Sequence, residues 1–143
     1  MKILNNIQLK SLNSFNISSY AKYFAEFSSE IDLLAILKHN LLAKEKLFIL
    51  GGGSNILLTK NIDGLLIKNA IKGIKIIEEN DNHLIAEVGA GENWHDFVKW
   101  SIKQNVSGIE NLALIPGSVG AAPIQNIGAY GMEVKDTVEK VYY

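Results

Sequence analysis

Leu47-Phe48-Ile49-Leu50-Gly51-Gly52-Gly53-Ser54-Asn55 is the stretch on which the reading of the fold turns. Four apolar residues in a row, too few for a helix and closed by three glycines, predict a strand buried on both faces. Working back from it, Ser29 and Asp32 form a capping-box-like pair. Ile31, Leu34, Leu37 and Leu41 follow at helical spacing, so a helix with that face buried is expected to end near Asn40. Helix followed by strand marks an α/β unit. Working forward, strands are expected at Leu65 to Ile67, Ile74 to Glu78 and Leu84 to Val88. The last two are joined by the polar turn Glu79-Asn80-Asp81-Asn82, which predicts a hairpin. A second helix should start at Asn93 and run to about Gln104. Asn93 with Asp96 repeats the cap-and-acid pattern, and Trp94, Phe97, Val98 and Ile102 suit one buried face. Gly108 lies beyond its end.

The whole chain has 143 residues, 48% of them hydrophobic and 20% charged. That supplies a core and excludes a disordered tail and a large multi-domain enzyme. Its 14 basic and 15 acidic side chains leave a net charge of −1, which argues against nucleic acid or a membrane surface as a partner. With no cysteine, disulfide scaffolds, thiolate metal sites and cysteine nucleophiles are excluded together. Every basic residue is lysine, so no guanidinium fork is available to grip a carboxylate or phosphate. The N-terminus lacks the pattern of a secretory signal. The longest apolar stretch, Leu112 to Ile124, is interrupted by Pro116, Gly117, Gly120 and Pro123 and is too short to span a bilayer. A soluble cytoplasmic protein is the expectation. No repeat appears. Apolar density thins at Asn69-Ala70, predicting two subdomains, 1–70 and 71–143. Val138, Val141, Tyr142 and Tyr143 read as the start of a strand with no cap after it, so the second subdomain is expected to be incomplete.

Three segments could carry chemistry. Gly51, Gly52, Gly53, Ser54 and Asn55 can direct consecutive N–H groups into one concavity and hold an anion. Neither a P-loop lysine nor the last glycine of a dinucleotide fingerprint follows. The alternative is a tight turn joining two elements. Val88-Gly89-Ala90-Gly91 again ends a strand before a helix, but Glu92 would oppose an anion there and argues for packing. The run from Ile115 to Gly131 is built from small residues, too light to make a core and too apolar for a linker. A flat heteroaromatic ligand would find backbone donors and small side chains there; a tight backbone crossing is the other reading. His39, His83 and His95 show no metal-ligand spacing. Trp94 and Trp100 are expected in a core, Glu78-Glu79 on a solvated surface, and Glu110 without a partner.

Taken together, Gly52-Gly53-Ser54-Asn55, Gly89-Ala90-Gly91-Glu92-Asn93-Trp94-His95, Gly108 through Gly117 and Pro123 through Gly131 closely resemble the UDP-N-acetylenolpyruvoylglucosamine reductase (MurB) family in order and spacing. Asn13-Ser14-Phe15-Asn16-Ile17 resembles that family's Asn-Thr-Phe opening, with serine for threonine. The resemblance implies an α+β fold of the vanillyl-alcohol-oxidase (PCMH) FAD-binding type, in which two α+β subdomains hold FAD between them. It implies that Gly51, Gly52, Gly53, Ser54 and Asn55 hold the pyrophosphate. Pro116, Gly117, Ser118, Val119 and Gly120, with Gln125, Asn126, Gly128, Ala129, Tyr130 and Gly131, would line the flavin and its ribityl chain.

In that family NADPH reduces FAD, and the flavin passes hydride to UDP-GlcNAc-enolpyruvate, giving UDP-N-acetylmuramate for peptidoglycan, the cell wall and hence cell shape and division. The family's catalytic serine, glutamate and arginine match no residue of this chain, and its substrate-binding domain is absent. The chain is therefore expected to be an N-terminal, cofactor-bearing part without turnover of its own. The alternatives are a non-catalytic FAD or nucleotide module acting through a partner chain, and a structural α+β domain whose glycines are packing turns. Replacing Gly53 by valine is expected to abolish flavin binding without unfolding the domain.

Overall fold

The computed structural model describes residues 2–143, which form two compact units, one ending at Ile71 and the other Lys72–Tyr143. In the first, strands β1 (Leu4–Gln8), β2 (Tyr20–Phe27), β3 (Leu47–Leu50) and β4 (Ile62–Asn69) form one sheet in the order β1-β2-β4-β3. β1 runs antiparallel to β2, while β2, β4 and β3 are mutually parallel, with Phe24 opposite Leu66 and Ile49 opposite Ile67. Helix α1 (Glu30–Leu37) lies between β2 and β3 in the chain. Ser29 caps it as expected: its hydroxyl accepts from Asp32 N–H at 3.1 Å and donates back to the Asp32 carboxylate at 3.0 Å.

Two expectations fail in this unit. The strand buried on both faces is β4, whose Gly64, Leu65, Leu66 and Ile67 are all buried; β3 is an edge strand with Leu47, Phe48 and Ile49 exposed. An apolar run shows that a segment is a strand but not its rank in the sheet. The predicted helix face is also wrong. Ile36 and Leu33 pack against Ala25, Phe27, Leu65 and Ile67, while Ile31 is 80% exposed and Leu34 and Leu37 face outward. The helix Glu-Ile-Asp-Leu-Leu-Ala-Ile-Leu is apolar nearly all round, so periodicity does not single out the buried side. The sheet's other face carries Leu9, Ala21, Phe24, Leu50 and Leu66. A bulge between Ala21 and Tyr23 puts Ala21 and Phe24 on one face, which breaks the alternation that would have made β2 readable.

The second unit contains the expected hairpin, β5 (Ile74–Glu79) and β6 (Leu84–Val88), antiparallel with Ile76 opposite Ala86. Its turn is held by the Asn80 side chain, which accepts from the N–H groups of Asn82 and His83. Helix α2 (Trp94–Lys103) follows, with Asn93 accepting from Asp96 N–H at 3.0 Å. Its buried face is Trp94, Val98 and Ser101, with Phe97 partly buried; Ile102, expected inside, is exposed, and Ser101 replaces it by donating to Val98 C=O at 2.9 Å. The core of this unit gathers Trp94, Val98, Leu112, Ala122, Ile127 and Val134. Most of it comes from 3-10 turns and from the short hairpin β7 (Gly128–Ala129) and β8 (Met132–Glu133). Residues 138–143 form no strand; with no neighbouring strand to complete a ladder, Val141, Tyr142 and Tyr143 lie exposed. Among the described residues no helix is long and apolar enough to cross a membrane.

Candidate functional site

In the first unit the glycine run turns off the end of β3, and its shape is set from elsewhere in the chain. Asn13, nearly fully buried, donates to Leu9 C=O at 2.7 Å and Ile17 C=O at 3.1 Å and accepts from Ile17 N–H at 3.0 Å. This side chain ties residues 9–17 into a compact loop, in which Asn16 takes φ +53°. The loop then meets the glycines: Ser14 N–H donates to Gly53 C=O at 3.0 Å, and Ser14 Oγ donates to Ser54 C=O at 3.4 Å. Gly53 has φ +68°, and a Cβ there would lie 1.9 Å from Leu12 C=O. The residue must be glycine because backbone presses on backbone within the unit. The expectation that valine at 53 spares the fold is therefore corrected. Gly52 and Asn55 are exposed, and Gly51 and Ser54 partly so.

In the second unit the structure joins two segments that the sequence kept separate. Trp94 N–H donates to Gly117 C=O at 3.0 Å, Val119 N–H to Glu92 C=O at 2.9 Å and Gly120 N–H to Ala90 C=O at 2.9 Å, while Asn93 and Ser118 form an antiparallel bridge. The Gly89-Ala90-Gly91 loop and Pro116–Gly120 are thus zipped backbone to backbone. Gly120 lies so close that a Cβ would stand 2.5 Å from Ala90 Cβ. Glu92 serves packing, as expected, by accepting from Gly73 N–H at 2.7 Å and pairing with Lys72 at 3.3 Å. Gly117 has φ +131° and Ser118 is buried.

The same core anchors the next segment through Ala122, Ile127 and Ala129. Gln125, Asn126 and Gly128 are exposed above it. Val134 N–H donates to Ile127 C=O at 2.8 Å, and the β7–β8 turn is Tyr130-Gly131, both left-handed at φ +54° and +81°. Paired left-handed residues make the tight turn whose twist suits a two-residue hairpin. The turn stands open: Tyr130 is 89% exposed, and nothing lies within 4 Å of a Cβ at Gly131. Asn126 supports it by donating to Glu133 at 3.1 Å and accepting from Lys135 N–H at 3.3 Å. The ion pair with Lys135, and then the Asn126 bond, hold the Glu133 carboxyl below its ordinary value.

The remaining candidates have local roles. Trp94 is buried and its indole donates to Leu112 C=O at 2.8 Å; Trp100, partly buried, stacks on Phe97 at 5.8 Å. His39 accepts from Leu41 N–H, and His83 meets Glu78 at 2.9 Å in the hairpin turn. Glu110 does have partners. It accepts from Gly108 N–H at 2.6 Å, and this bond, then its own and Ile109 N–H groups, lower its carboxyl. Asn13, His95 and Ala90, quoted in the motifs but given no role of their own, hold these loops: Asn13 through Leu9 and Ile17 four positions away, and His95 and Ala90 through Leu114 and Gly120, distant in the chain. The sequence signals at Asn13 were the family-like opening Asn13-Ser14-Phe15-Asn16-Ile17 and the turn-forming Asn16 within it.

Comparison with known proteins follows the same lines. The family described as FAD binding domain matches residues 21–143. The chain is 54% identical to UDP-N-acetylenolpyruvoylglucosamine reductase of Flavobacterium johnsoniae over 137 residues, covering 96% of this chain and 40% of that protein. It is 47% identical to the reductase of Amoebophilus asiaticus over 141 residues, covering 99% of this chain and 42% of that one. It therefore spans about two fifths of these relatives. Among solved structures, the MurB reductase of Thermus caldophilus superposes with a TM-score of 0.72 over 95% of this chain and 46% of that one, at 23% identity, which establishes the shared α+β fold. By the extent of the family match, the chain belongs to the FAD-binding domain family.

Proposed function

We propose that this chain holds FAD, as the cofactor-bearing part of an NADPH-dependent reductase that converts UDP-GlcNAc-enolpyruvate to UDP-N-acetylmuramate in the cytoplasm. The observation that carries the reading is the 54% identity to a named reductase over 96% of the chain, together with loops built from small, outward-facing residues. Gly51, Gly52, Ser54 and Asn55 present backbone and side-chain donors suited to a pyrophosphate, while Gly53 fixes the loop's shape from beneath. Gly117 and Ser118 with Gly128 to Gly131 would line a planar ring through their backbone groups, next to the open turn at Gly131. Among the described residues, no atom beyond its chain neighbours lies within 4 Å of a side-chain carbon built at Gly131. The backbone bonds of Val119 to Glu92 and of Gly120 to Ala90 hold the Pro116–Gly120 segment in place, and Gln125 and Asn126 would border the ring.

Bound FAD would supply hydride accepted from NADPH. The chain's own contribution is to bind and orient, because the residues that protonate substrate in this family have no counterpart here. Titrating the purified chain with FAD, followed by flavin absorbance and fluorescence, tests the reading. Saturable one-to-one binding is expected; a linear, unsaturated signal overturns it.

A further inference from the structure

The segment that leads into Pro116–Gly120 passes through a residue in an unfavourable conformation. Leu114 has φ +63°, a region that branched side chains avoid. Its side chain is 77% exposed, so burial does not hold it there. Hydrogen bonds from the first turn of α2 do. Trp94 donates to Leu112 C=O at 2.8 Å on one side, and on the other Leu114 N–H donates to Nδ1 of His95 at 3.2 Å. Three residues further on, Gly117 C=O accepts from Trp94 N–H. The loop is thus held by two adjacent residues of one helix, and only His95 can change its hydrogen-bonding character with pH.

A ring nitrogen accepts a hydrogen bond only while it carries no proton; an imidazolium is a donor at both nitrogens. We propose that His95 is a positioning residue acting as a proton-released latch: neutral, it holds Leu114 left-handed and keeps Pro116–Gly120 in its binding shape, and protonated, it lets go. The ligand half of this inference rests on the flavin reading above.

The charged groups around His95 are few. On α2, Asp96 interacts with the imidazole charge and pairs with Lys99 at 2.6 Å. Lys72 interacts with Asp96 and pairs with Glu92 on the loop before the helix. On the 3-10 turn Glu110–Leu112, packed against α2, the ionisable side chain is Glu110, engaged by Gly108 N–H. A His95→Asn variant keeps all of these neighbours and offers an amide oxygen where Nδ1 stood, an acceptor that does not titrate. Any pH response of the neighbours therefore appears equally in wild type and variant.

The test is amide hydrogen exchange by NMR on the full chain at pH 7.5 and pH 5, read as the protection of Leu114 relative to an unstructured peptide at the same pH. FAD titrations are run alongside. In the wild type, protection and flavin affinity should each fall about tenfold at the lower pH, the scale of one hydrogen bond. His95→Asn should hold both constant, and His95→Phe should be low at both pH values. An equal pH response in wild type and His95→Asn overturns the latch, and if the phenylalanine variant does not fold, that comparison alone decides. A Leu114 amide that switches while flavin affinity stays constant overturns the link to the binding segment. If no variant binds flavin at either pH, the flavin reading fails and the Leu114 amide still decides the latch.

Discussion

Gly53 and Gly131 share a left-handed backbone, at φ +68° and +81°, yet they stand in opposite surroundings. At Gly53 the space a side chain would take is filled by Leu12 C=O; at Gly131 it is empty. Both belong to runs of small residues that read alike in the sequence. The first run is small at Gly53 because the chain packs on itself there, whereas at Gly131 the space beside the backbone is open. Gly120, against Ala90, belongs with Gly53. A glycine-rich loop therefore divides into positions where backbone presses on neighbouring atoms and positions that stand open, and at the second kind a substitution meets only the strain of the left-handed backbone.

The difference can be broken by substitution, and the largest effect is expected at Gly53. Gly53→Ala adds both a clash with backbone and left-handed strain, together about 3 kcal/mol of lost stability. Urea denaturation should show the midpoint falling steeply; an unchanged midpoint would dissolve the distinction. Gly120→Ala should cost less, about 2 kcal/mol, because its backbone is not left-handed and its nearest neighbour is the Ala90 methyl at 2.5 Å rather than a carbonyl oxygen at 1.9 Å. Adding Ala90→Gly should recover part of that loss, and a double variant no more stable than Gly120→Ala would place the strain elsewhere.

Gly131→Asn is the converse case. Asparagine tolerates positive φ, so stability should move by less than about 1 kcal/mol while FAD affinity drops, as thermal melts and titration would show together. The smallest effect concerns Glu110. Its folded carboxyl sits below the ordinary 4.5, so it contributes stability that is fully present above that pH and is lost as the pH falls through the folded value. Acid unfolding curves of Glu110→Gln should lack that part of the slope below its ordinary pKa of 4.5, and identical slopes would show the Gly108 bond to be inconsequential.

What could be read in the sequence followed locality. The caps at Ser29 and Asn93, the hairpin turn at Asn80 and the extent of Leu84–Val88 all depend on neighbours within a few positions, and all are found. The strand order β1-β2-β4-β3 depends on parallel pairing across the chain, and with it went the rank of β3 and the buried side of α1. Strands β1 and β2 went unread, β2 because its bulge interrupts the alternation. In the candidate site, the glycine runs announced themselves, but their partners did not. Nothing near Gly53 in the sequence names Leu12, and nothing near Ser118 names Asn93.

The tie between the Asn13 loop and the glycine run also has a kinetic side. Ser14 and Ser54 touch across 40 positions of chain, so closing that contact costs loop entropy before any bond is gained. Such a contact belongs to the slow, non-local part of folding. During synthesis, residues 9–17 leave the ribosome able to form the Asn13 bonds but without the glycine run to close upon until the stretch through Ser54 has followed. The geometry of the glycine run is therefore a late product of assembling the first unit, and a peptide cut from residues 47–58 would not reproduce it.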